Sequence, residues 1–137
     1  MNKKRILIPI DGTERSMHSL ELAKEIFPKD AVEITIMNVK ELVITTGIEV
    51  ADKMAVGAEE GKKILEAAKS KMEGYNVTTC FKFGYAADEI LKKAKEDLIN
   101  IIIMTKSTKK GLTRMVGSVT SSVVKRATKS VVMIVPE

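Results

Sequence analysis

The sequence predicts an α/β fold: one doubly wound domain over residues 1–137, with a five-stranded parallel sheet covered by helices on both faces. Three observations predict it. Short runs rich in Ile, Val and Leu alternate along the chain with longer stretches that repeat apolar residues at helical spacing. The short runs are apolar throughout, as strands buried on both faces are. Right-handed crossovers then leave few topologies, and the strand order 3-2-1-4-5 leads among them. A chain of 137 residues folds as one domain and buries roughly two thirds of its unfolded surface.

Arg5–Pro9 is the first strand, with Pro9 at its carboxyl end, where a missing ladder donor costs least. Asp11-Gly12-Thr13 is a turn. Residues Ser16–Phe27 form a helix whose stripe is Met17, Leu20, Leu22, Ala23, Ile26 and Phe27, and Pro28 and Asp30 end it. Glu33–Val39 is the second strand. Lys40–Lys53 mixes β-branched residues with Gly47 and reads as a connection over the domain edge.

Met54–Met72 is a long helix that buries Ala58, Ile64, Leu65, Ala68 and Met72. Gly57 and Gly61 weaken its first turns, and Gly74 stops it. Val77–Phe83 is the third strand. A helix that starts at Asp88 or Ala87 and runs to Glu96 turns Ile90, Leu91 and Ala94 inward, and Asn100–Met104 is the fourth strand. Ser118–Thr128 is the last helix, burying Val119, Val123, Val124 and Ala127; Val131–Val135 is the fifth strand. The whole is Rossmann-like, without internal repeats.

Composition narrows the function. A hydrophobic share of 45% and a charged share of 30% are ordinary for a globular chain. The net charge of +5 comes from lysines spread along helical faces, a solvated surface. With two Tyr, three Phe and no Trp, base-stacking platforms are scarce, and a nucleic-acid partner is not expected. The single Cys80 cannot form a disulfide within the chain; it reads as a small core residue and fits a reducing cytoplasm. No apolar run approaches the ~18 residues of a membrane span. The first apolar stretch is short and interrupted by Pro9, unlike a signal peptide. The expectation is a cytoplasmic protein without a membrane partner.

In doubly wound sheets, ligands bind beyond the carboxyl ends of the strands where the winding reverses. Here that point lies between the first and fourth strands, and the facing loops are Asp11–Thr13 and Thr105–Gly117. Asp11 is an acceptor-only carboxylate suited to a ribose hydroxyl or an adenine amino group; it also suits a plain turn. Thr105, Lys106, Ser107, Thr108, Lys109, Lys110 and Arg114 make the second loop basic and hydroxyl-rich, fit for phosphate or for solvent. Gly117-Ser118 opens the last helix, where free N–H groups and the positive helix end favour an anion.

Catalysis has no comparable signal. His18 is the only histidine and falls on a helix surface, so no zinc-type ligand set can be assembled and no metal site is expected. GxSxG, GxxxxGK[ST] and GxGxxG are absent, and no catalytic residues can be named. The eight methionines read as core filler.

Several stretches, in this order and spacing, resemble the universal stress protein family across essentially the whole chain. They are ILIPIDGTERSMHSLELA (Ile6–Ala23), IMNVKE (Ile36–Glu41), FGYAADEILKKAKE (Phe83–Glu96), and the ending IIIMTKS followed by GLTRMVGSVTSSVVKRATKSVVMIV. The resemblance implies the five-stranded sheet already described and a role in stress response. It also implies a homodimer, through the edge strand Val131, Val132, Met133, Ile134 and Val135, which carries no charge to block pairing.

Some family members bind ATP through Gly-x2-Gly-x9-Gly-Ser/Thr after the fourth strand. By resemblance, Asp11 takes the adenine- or ribose-side position, Val39 the adenine contact, and Gly117 and Ser118 the final pair. The implied nucleotide site comprises Pro9, Asp11, Gly12, Val39, Met104, Thr105, Lys106, Thr108, Gly117, Ser118, Val119 and Thr120. Its cofactor is ATP or AMP, with Mg2+ if ATP. The first two glycines are missing. Read forward from Met104, their places hold Thr105 and Thr108, with the loop one residue short; read back from Gly117, they fall on Met104 and Ser107. Threonine is β-branched and poorly suited to backbone that approaches a phosphate. Two functions follow: a weak adenine-nucleotide sensing module, or an interaction protein that binds no ATP and works through homodimerisation and protein partners.

Overall fold

Strands and helices alternate along the chain: β1 (Lys4–Pro9), α1 (His18–Ile26), β2 (Val32–Lys40), α2 (Val50–Ser70), β3 (Asn76–Phe83), α3 (Ala86–Glu96), β4 (Ile101–Thr105), α4 (Ser118–Arg126) and β5 (Val131–Val135). The computed structural model describes residues 2–41, 50–106 and 117–136. The sheet has the order β3-β2-β1-β4-β5, and every pairing in it is parallel. This is the predicted topology.

β1 lies at the centre, and its alternation divides the core. Ile6, Ile8 and Ile10 point to one face, where Leu20 and Ala23 of α1 and Leu65 and Ala68 of α2 pack with Ile34 and Ile36. Leu7 points to the other, with Met37, Ile102 and Met104, under Ile90 and Ala94 of α3 and Val123 of α4. Ile6, Leu7 and Ile8 are all fully buried, so the uninterrupted apolar run reflects burial on both faces.

Element boundaries shift in instructive ways. α1 begins at His18, because residues up to Met17 are held in turns: the N–H of Met17 donates to the carbonyl of Glu14, and the Ser16 hydroxyl donates to the carbonyl of Thr13. α2 begins at Val50, so the end of the expected connection is helical; residues 42–49 lie outside those described. The helix runs through both glycines. Gly61 is buried, and a Cβ built there would overlap the Phe81 ring and stand 2.9 Å from Asn38 Oδ1. Glycine therefore lets α2 lie close on β2 and β3, and this packing outweighs a propensity cost of about 1 kcal/mol per glycine. Lys40 pairs with Glu60 across the same contact and holds the Glu60 carboxyl below its ordinary pKa.

α3 begins at Ala86, not at Asp88 or Ala87, after Tyr85 in extended conformation; Asp88 sits in the first turn, near the positive helix end, 2.7 Å from Arg126 Nη1 of α4. The helix closes with Leu98 in the left-handed region (φ 52) and the N–H of Ile99 on the carbonyl of Ala94. α4 stops at Arg126, and its buried stripe runs through Thr120 and Val123. Val124, expected inside, is 45% exposed, at the margin of that face. Ile26, the last residue of α1, is likewise exposed. Cys80 is half-buried. Among the described residues, no helix is long and apolar enough to cross a membrane.

Candidate functional site

The cleft opens where the β1–β4 ladder ends. Those strands pair only at Ile6 with Ile101 and Leu7 with Ile102. β4 runs on to Thr105, still paired with β5. Pro9 has no N–H to offer, and the chain beyond it turns away. The gap holds ≈ 140 Å³ of water-accessible space, about ten times the ~10–15 Å³ one water needs, so a small organic molecule fits rather than isolated solvent.

One wall comes from Pro9, Ile10, Asp11 and Ser16. β2 contributes Met37 and Val39, and α3 contributes Ala86 and Ile90. The far wall is Met104, Thr105 and Lys106 with the start of α4, Gly117 to Thr120. The middle of the cleft is thus apolar, with Asp11 on one side and a helix N-terminus on the other.

Asp11 sits on a turn that its own sequence closes. Its Oδ1 accepts from the N–H of Thr13 at 2.9 Å and from the Thr13 hydroxyl at 2.6 Å. The N–H of Asp11 donates to Ser16 Oγ at 3.2 Å. Gly12 has φ +88, and a Cβ there would stand 2.8 Å from Ile64 Cδ1 of α2, so only glycine fits without strain. The carboxylate itself is exposed to solvent.

At the other side, Gly117 is the N-cap of α4, with extended backbone and no side-chain cap. Its N–H donates to the carbonyl of Lys106 at 2.5 Å. The Thr120 hydroxyl donates to the carbonyl of Thr105 at 2.8 Å, which fastens the first turn of α4 to the tip of β4. Among the described residues, the backbone N–H groups of Ser118, Val119 and Thr120 have no acceptor. With the helix dipole, they form a ready position for an anion.

The residues expected at the site lie together, with two exceptions. Pro9, Asp11, Val39, Met104, Thr105, Lys106, Gly117, Ser118, Val119 and Thr120 line the cleft. Gly12 does not; it faces α2 and serves the turn. Thr108 lies outside the described residues. Sequence reasoning missed Ile10, Ser16, Met37, Ala86 and Ile90. Met37 was legible: it lies two residues before Val39, on the same face of β2. Thr105 is 8% exposed and ends β4.

The family model for the Universal stress protein family matches residues 2–135. The chain belongs to the universal stress protein family. Among its relatives, the universal stress protein YxiE of Bacillus subtilis is 31% identical, over 95% of this chain and 97% of the relative. Universal stress proteins of known structure share the fold. MJ0577 of Methanocaldococcus jannaschii superposes with a TM-score of 0.87 at 28% identity, over 100% of this chain and 98% of that one. An Arabidopsis thaliana family member, solved with AMP bound, has a TM-score of 0.74 at 17% identity, over 98% and 92% of the two chains. Another universal stress protein, solved in complex with cAMP, gives a TM-score of 0.71 at 17% identity, over 99% and 98%.

Proposed function

We propose that this universal stress protein binds an adenine nucleotide, AMP or ATP, in the cleft between β1 and β4, and that it serves as a nucleotide-sensing module in the stress response. One observation carries the reading: an uncapped helix N-terminus and an acceptor carboxylate face each other across an apolar slot. Val39, Met37, Ala86 and Ile90 offer the apolar surface that a purine needs. Asp11 accepts from a ribose hydroxyl or the adenine amino group. The free N–H groups of Ser118, Val119 and Thr120, with Lys106 beside them, hold phosphate. Two family members of the same fold, solved with AMP and with cAMP, support the choice of ligand. ATP would bring Mg2+ on its phosphates.

The affinity is weak in this reading. In neither register of the loop after β4 do glycines stand where ATP-binding members carry the first two: read forward from Met104 the places hold Thr105 and Thr108, read back from Gly117 they hold Met104 and Ser107. A charge-assisted N–H contact contributes about 1.5–3 kcal/mol, so one lost contact costs about tenfold or more. A thermal-shift screen with AMP, ATP and cAMP tests the proposal. A ligand at a hundredfold excess over its Kd raises stability by about 2.7 kcal/mol. AMP or ATP is expected to raise Tm; no shift with any of the three at millimolar concentration contradicts the reading.

A second reading, an interaction protein that works as a homodimer with protein partners, is favoured by β5. Among the described residues this strand pairs only with β4, at the sheet edge, and Val131 is 61% exposed. An apolar, uncharged edge of this kind invites pairing with a second copy through Val131, Val132, Met133, Ile134 and Val135. Sedimentation at micromolar concentration should find a dimer, and Val132→Lys should shift it to monomer. A monomer in the unmutated protein ends this reading. The lone Cys80 fits the cytoplasm for either role.

A further inference from the structure

Asn38 is 2% exposed, on β2 directly before Val39. It is absent from the cleft lining and faces α2, where its Oδ1 lies against Gly61. Its Nδ2 donates to the carbonyl of Ile10 at 2.8 Å. The reversed amide would set oxygen against oxygen there, so its orientation is fixed. Among the described residues, Oδ1 has no hydrogen-bond partner. A buried amide with an unpaired oxygen is destabilising in itself, and so is a glycine inside a helix. Both occur at this one contact.

The bond from Nδ2 holds a particular peptide. The unit joining Ile10 to Asp11 gives its carbonyl to Asn38 and its N–H to Ser16 Oγ, 3.2 Å away. One residue earlier, the N–H of Ile10 donates to the carbonyl of Met37 at 2.8 Å. The peptide plane is therefore clamped at both edges just where β1 ends, and a fixed plane sets the direction in which Asp11 leaves the backbone. We infer that Asn38 is a positioning residue: through the Ile10 carbonyl it aims Asp11 into the cleft, and Gly61 is the space that lets it do so. The inference rests on the nucleotide reading above for the ligand that Asp11 meets.

The test uses Asn38→Leu, which removes the donor and the orphaned oxygen together at similar volume. Amide hydrogen exchange is read at Asp11 and Thr13 against Ile8, and AMP is titrated by calorimetry into both proteins. The expected result is exchange at Asp11 at least about tenfold faster with Ile8 unchanged, and AMP bound about tenfold more weakly. Faster exchange at Asp11 and Ile8 together marks a merely structural residue and overturns the inference, as does unchanged exchange at Asp11. It is also overturned if the unmutated protein binds AMP and the variant binds it equally well. If exchange at Asp11 alone accelerates but the unmutated protein binds no nucleotide, the hold on the turn stands and the nucleotide reading falls. Should Asn38→Leu not fold, Asn38→Ser carries the same measurements.

Discussion

Gly61→Ala lowers the stability of the fold by about 1–2 kcal/mol, although alanine is the better helix former. Propensity alone predicts a gain of about 0.5–1 kcal/mol for this change within α2. Against it stands the overlap of the new Cβ with the Phe81 ring. That ring cannot step aside freely, because it packs edge-to-face on Phe83 with centroids 5.0 Å apart and, partly buried, lies against the core beneath α2. Overpacking of a filled site costs about 1–3 kcal/mol, so crowding wins. Gly57→Ala is the matched control: its Cβ would meet Phe83 Cε1 at 3.2 Å, a tight contact rather than an overlap, and the expected change is within about 0.5 kcal/mol. Denaturant unfolding of the three proteins decides the point. A Gly61→Ala protein as stable as the parent, or more so, would show that α2 does not lie on β2 and β3 as described.

Asp11→Ala reduces nucleotide affinity by about tenfold to a hundredfold. A hydrogen bond to a charged group contributes about 1.5–3 kcal/mol, and ~1.4 kcal/mol is a factor of ten. Part of the loss is indirect, since Oδ1 also accepts both Thr13 donors that close the turn. Asp11→Asn separates the two effects. It keeps an acceptor oxygen for Thr13 and removes the charge, so its affinity should fall between the others. The fold should tolerate both changes, because the side chain is exposed.

Much of this was legible in the sequence. The strand order followed from the alternation of apolar runs with helical stripes, and the crevice between β1 and β4 followed from the order. Asp11, Val39 and Gly117–Ser118 meet there because strand tips and a helix start are positions that topology dictates. What escaped reading depends on close approach, which composition does not encode. Gly57 and Gly61 read as weak points of a helix, yet both let it lie close on the sheet; its start at Val50 escapes because Lys40–Lys53, with its β-branched residues and Gly47, reads as a connection. Asn38 looked like one more residue of an apolar strand, because nothing local reveals that its amide reaches the end of β1. Ala86 and Ile90 enter the cleft only through the crossing of α3 over β2. Val124 and Ile26 have the spacing of buried positions yet lie at the margin or end of short nine-residue helices, where a helical stripe is poorly determined.

The most direct test of the account is a calorimetric titration of AMP and ATP into the unmutated protein and into Asp11→Ala at low and at physiological salt. The expected result is measurable but weak binding to the unmutated protein, further weakened by salt because the phosphate side relies on charge, and lost or reduced at least about tenfold in the variant. Tight binding that Asp11→Ala leaves unchanged would place the ligand elsewhere, and no heat from either nucleotide at millimolar concentration would leave the cleft without the role proposed for it.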